Sequence, residues 1–77
     1  METVYEFIFS YWSTVSEAWE ECSYYTLKEN NNQFMIETLI RDEFVNGKPT
    51  AENISLEVEE HTLAWFDGCG YGREMLI

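Results

Sequence analysis

Residues 34–47 read Phe-Met-Ile-Glu-Thr-Leu-Ile-Arg-Asp-Glu-Phe-Val-Asn-Gly, and two different periods fit them. As a strand, Phe34, Ile36, Thr38, Ile40, Asp42 and Phe44 share one face. Met35, Glu37, Leu39, Arg41 and Glu43 share the other, which is more heavily charged. As a helix, the stretch benefits from Met, Glu and Leu, all good helix formers. Its end decides between the two. Asn46-Gly47 is the strongest short-range hairpin signal, because a type I′ turn needs positive φ at both central residues. A strand over Phe34–Val45 is therefore expected to enter the turn, and another to leave it. Pro49 on the leaving strand has no N–H for a ladder, which places that strand at an edge.

Upstream, Asn30-Asn31-Asn32 is a turn, since Asn bonds its own backbone and tolerates positive φ. Trp19–Lys28 is read as a strand on its Tyr24-Tyr25-Thr26-Leu27 run. A helix from Ser16 is the alternative, because Val15, Trp19, Cys22 and Thr26 recur at helical spacing. Val4–Trp12 is a strand with Tyr5, Phe7, Phe9 and Tyr11 on one side and Glu6, Ile8, Ser10 and Trp12 on the other. Downstream, Ser55 suits a helix N-cap. Glu57, Glu59 and Glu60 then suit the positive end of a helix over Leu56–Asp67, which Gly68 would close. The rival is a strand at Ile54–Val58, where Ile54, Leu56 and Val58 alternate.

The chain is small and very acidic. Its 77 residues hold fifteen Asp or Glu against four Lys or Arg, a formal net charge of −11. No Lys or Arg occurs among the first 27 residues. Such an imbalance repels itself in the compact state, so it is either tolerated for solubility or selected for a basic partner. Disorder is not implied, because acidic disordered segments lack aromatics, and this chain has five Phe, five Tyr and three Trp. One folded domain over residues 1–77 is expected. No apolar stretch approaches a membrane span of about 18 residues. The Met-Glu-Thr start has no basic n-region or apolar h-region of a signal peptide, so a cytosolic protein is expected.

Chemistry is sparse. Cys22 and Cys69 lie far apart, and two reduced thiols are expected in a cytosolic chain. His61 has no metal-ligand spacing around it. Glu57 lies one turn away if the segment is helical, and a solvated helix face explains it. The Gly68–Arg73 run lacks the Walker spacing and a Lys-Ser/Thr pair, so it is a close-packed connection and not a phosphate loop. No catalytic group, metal or cofactor is expected. One helix cannot bury thirteen rings, so some of Tyr5, Tyr11, Trp12, Trp19, Tyr24, Tyr25 and Tyr71 should be exposed as interface residues. Direct nucleic-acid binding is not expected, because phosphates would be repelled. The expected partner is a protein with a basic nucleic-acid-binding groove.

Three segments carry a family likeness: Phe7-Ile8 with Tyr11-Trp12-Ser13-Thr14, then Val45-Asn46-Gly47-Lys48, then Trp65-Phe66-Asp67-Gly68 with Gly70-Tyr71-Gly72-Arg73. In these the chain resembles the small phage-encoded anti-CRISPR proteins that inhibit the type I-F crRNA-guided surveillance complex. The resemblance implies a four-stranded antiparallel sheet with helical structure from the C-terminal part. The expected fold class is thus α+β, a four-stranded antiparallel sheet packed with a C-terminal helix. It also implies an inhibitor that docks on an effector backbone subunit and blocks target-DNA hybridisation; a protein of the host cytoplasm, monomeric or weakly dimeric, is expected. The family's first-strand Tyr corresponds to Tyr11, and its acidic residue before the Asn-Gly turn to Asp42, or to Glu43 if the register slips by one. A second family Tyr falls on Lys28, with Tyr25 nearby. This chain is more acidic than the family pattern. The runner-up is an acidic DNA mimic of another DNA-binding enzyme, such as a restriction or repair protein. A mimic needs rows of acids, whereas a backbone-capping inhibitor needs a compact patch around Tyr11 and Asp42.

Overall fold

The computed structural model describes residues 2–77. In chain order the elements are β1 (Thr3–Ser13), β2 (Ala18–Thr26), α1 (Asn32–Asp42), β3 (Phe44–Val45), β4 (Lys48–Pro49), β5 (Ala51–Thr62) and α2 (Leu63–Gly68). A 3₁₀ turn follows at Arg73–Met75. The fold is α+β. Its main sheet is antiparallel with three strands in the order β2-β1-β5, and β3 and β4 form a separate two-stranded ribbon. Both β2 and β5 run antiparallel to β1. They are therefore parallel to each other and need a crossover connection, which α1 supplies.

Two expectations are corrected. Phe34–Val45 is not a fourth strand: residues 32–42 are helical, and only Phe44–Val45 is extended. The Asn-Gly turn exists, with φ of 52° at Asn46 and 77° at Gly47, but the strands it joins are two residues long. Asn31 starts the helix, its Oδ1 accepting from the Gln33 and Phe34 N–H groups at 2.7 and 3.4 Å. Met35 and Leu39, one turn apart, are fully buried. The helix expected over Leu56–Asp67 is instead mostly strand. β5 runs to Thr62, whose hydroxyl caps the short α2 by accepting from the Trp65 N–H at 3.0 Å. Ser55 caps nothing and lies mid-strand opposite Ser10.

β1 alternates, and its two faces are covered differently. Phe7, Phe9 and Tyr11 pack under Met35 and Leu39 of α1, with Ala51 completing the cluster. Val4, on the opposite face, packs with Tyr25 and with Phe66 of α2. An 11-residue helix is only about 16 Å long, whereas an 11-residue strand spans about 36 Å. The overall extents of 41 × 24 × 20 Å reflect the strands. One short helix per face therefore leaves much of the sheet open.

Truncating the α1 contact is expected to be costly. Leu39→Ala should destabilise by about 2–5 kcal/mol, and Asn31→Ala by about 1 kcal/mol through loss of the cap. Val15→Ala, at a turn position 66 % exposed, should stay within about 0.5 kcal/mol. Urea unfolding of the three variants checks this ranking. A neutral Leu39→Ala would contradict the helix placement.

Candidate functional site

The open part of the sheet is the face opposite α1. Side chains paired across an antiparallel ladder share a face, so the register defines it. Along β1 it carries Glu6, Ile8, Ser10 and Trp12. Their β2 partners are Tyr25, Ser23, Glu21 and Trp19. Their β5 partners are Glu59, Glu57, Ser55 and Glu52. The three main strands hold seven glutamates and no Lys or Arg, and five of these glutamates (Glu6, Glu21, Glu52, Glu57 and Glu59) lie on this face. The basic residues are elsewhere: Lys28 after β2, Arg41 in α1, Lys48 in β4, and Arg73 in the 3₁₀ turn. Arg73 is also engaged by Asp67, with contacts of 2.9 and 3.3 Å.

A shallow groove runs between Ile8, Ser10, Glu21, Ser55 and Glu57. Trp12 and Trp19 close one end, edge to face with centroids 5.7 Å apart. Trp19 is 62 % exposed. The other end is ordered around Glu6. Its Oε2 accepts from Ser23 Oγ at 2.9 Å and Tyr25 Oη at 3.2 Å. Its Oε1 lies 2.8 Å from Nε2 of His61, which also lies 3.6 Å from Glu59 Oε2. Glu6 and Glu59 are directly opposed like charges, an arrangement that disfavours pairing. His61 sits between them, its ring stacked on Trp65 at 3.6 Å and 10°.

The residues implied by the family likeness are not gathered here. Tyr11 is 3 % exposed and lies beneath α1, so it cannot reach a partner while α1 is in place. Tyr25, 7 % exposed, is buried on the opposite face among Phe66, Trp65 and Tyr71. Asp42 ends α1 and accepts from Tyr24 Oη at 2.6 Å, and Glu43 follows as the C-cap. Lys28 is exposed beyond β2. The helical reading of Leu56–Asp67 scatters Glu57 and Glu59 around a helix, whereas the rival strand reading puts them on one face. The alternation of Ile54, Leu56 and Val58 against Ser55, Glu57, Glu59 and His61 was the signal for them. Glu57 is thus on the same strand face as His61 and not one helical turn away.

Burial and neighbouring acids also shape the titrating groups. Burial, then Glu43, pushes the Tyr11 hydroxyl up to about 12. The same two causes push the Cys22 thiol up to about 11, which disfavours the nucleophilic thiolate. Burial, then the bond to Asp42, raises Tyr24. Burial, then Tyr71, raises Tyr25. Among the described residues no helix is long and apolar enough to cross a membrane. Comparison with protein-family models, curated proteins and solved structures finds no match for this chain.

The raised tyrosines fix the sign of the alkaline limb. A folded-state pKa above 10.0 means that the unfolded chain releases its proton first, so stability falls as pH rises from about 10 towards 12. Urea midpoints should be level from neutral pH to about pH 9 and then decline. Tyr24→Phe should flatten that decline. An equally steep decline in the variant would remove Tyr24 from this account.

Proposed function

We propose that the protein is a non-enzymatic inhibitor that lays its glutamate face into the basic nucleic-acid-binding groove of a protein partner. One observation carries this reading: five glutamates and no Lys or Arg occupy the sheet face opposite α1. Successive same-face positions on a strand recur every ~6.8 Å, and neighbouring strands lie ~4.8 Å apart. Glu57 and Glu59 on β5, with Glu21 across on β2, spread negative charge over the face, which favours mimicry of a nucleic-acid backbone over a compact patch at Tyr11. The exposed Trp19 beside its Trp12 partner supplies an aromatic anchor of the kind that dominates interface energetics. The charge steers association, and the contact weakens with salt.

The family likeness in three sequence segments makes the type I-F surveillance complex the first target to test, with a restriction or repair enzyme as the second. Acting on the former, the protein would work in the host cytoplasm and be phage-encoded. The purified protein should bind the target at low salt and compete with its DNA. Replacing Glu21, Glu57 and Glu59 together by Gln should weaken binding by about 10- to 100-fold, at roughly 0.5–0.9 kcal/mol per lost charge contact. Tyr11→Phe should leave binding unchanged. Retention of full competition by the triple variant would dismiss the face as the contact surface. Failure on both target classes would dismiss the inhibitor reading.

A further inference from the structure

The end of the open face nearest α2 holds a ligand set. We propose that Glu6, Glu59 and His61 bind one divalent transition-metal ion of the zinc class. Each offers one ligand atom, and the three atoms lie within 4.8 Å of one another. Donor atoms held at about 2.0–2.2 Å by one tetrahedral or octahedral ion lie roughly 3.0–3.6 Å apart. The 3.6 Å between His61 and Glu59 already meets this, and the 2.8 Å between His61 and Glu6 needs to open only slightly.

The ligands are oriented through atoms that would not touch the ion. Glu6 commits Oε2 to Ser23 and Tyr25, which leaves Oε1 turned towards His61. Trp65 fixes the plane of the imidazole. Support of this kind from the surrounding shell is what aligns metal ligands. The Glu6 and His61 side chains are 14 % and 17 % exposed, whereas Glu59 is 54 % exposed. The solvent side is therefore left for water to complete the coordination. One imidazole with two carboxylates suits a borderline cation, whereas Mg²⁺ and Ca²⁺ favour oxygen alone. The ion would turn the Glu6–Glu59 repulsion across the β1–β5 ladder into a crosslink.

Isothermal titration of the protein with ZnCl₂, and separately with MgCl₂, tests this. The expected result is one zinc per chain, bound about 100-fold more tightly than magnesium. Glu59→Gln and His61→Gln should each weaken zinc binding about tenfold or more. Glu57→Gln, which makes the same charge change on the same face, should not. Circular dichroism establishes that the variants are folded, and exposed Glu59 makes its Gln variant the safer of the two. Cys69→Ser should retain full affinity. Equal affinities for zinc and magnesium, an equal loss in Glu57→Gln, a loss in Cys69→Ser, or no binding at about 1 mM zinc would each overturn the proposal.

Discussion

Among the described residues β1 is the only strand flanked by a paired strand on both sides, and everything else is placed relative to it. Its side chains alternate between two environments, with Phe7, Phe9 and Tyr11 on one face and Glu6, Ile8 and Ser10 on the other. The first set demands an apolar cover. The second does not, apart from Val4 at its end. A helix crossing from β2 to β5 meets the first demand with Met35 and Leu39. The short α2, with Phe66, meets the demand at Val4. The uncovered remainder follows from this division and is not a defect in packing.

The charge imbalance has a location as well as a size. Fifteen acids on so small a body repel one another. The three main strands concentrate seven of them, while the cations are carried by the helix, the ribbon and the termini of elements. Separation of this kind gives the molecule a direction in an external field. It also creates local conflicts, of which Glu6 against Glu59 is the sharpest, and His61 is held between them by Trp65.

Parts of this were legible in the chain and parts were not. The β1 alternation and the aromatic run of β2 are legible directly, because period two and aromatic content agree there. The Asn46-Gly47 turn is also present, but it needs only the short strands β3 and β4. Two residues per strand satisfy it, and Asn31 as a cap with Met35 and Leu39 one turn apart makes the preceding stretch helical. β5 misled through its glutamates, which resemble first-turn acids after Ser55. On an open sheet face they need no apolar partner, so weak strand propensity is overridden by the Ile54, Leu56 and Val58 side. The Glu6–His61 contact joins residues 55 positions apart. It is created by strand register and by nothing local.

The bulge in β5 has a consequence for that register. Between Ser10 and Trp12 the β1 chain offers only Tyr11, while β5 offers Asn53 and Ile54, with Asn53 at φ 52°. Even-numbered residues of β5 face α1 after the bulge, but odd-numbered ones do so before it. Ala51 is thereby turned into the core, 7 % exposed, and Glu52 is turned out beside Trp12. With continuous alternation the carboxylate and the methyl group would exchange places. The bulge therefore acts as a phase shift in the strand's inside-outside code, allowing one unbroken β5 to seal the core at its start and still present Glu52, Glu57 and Glu59 on one open face.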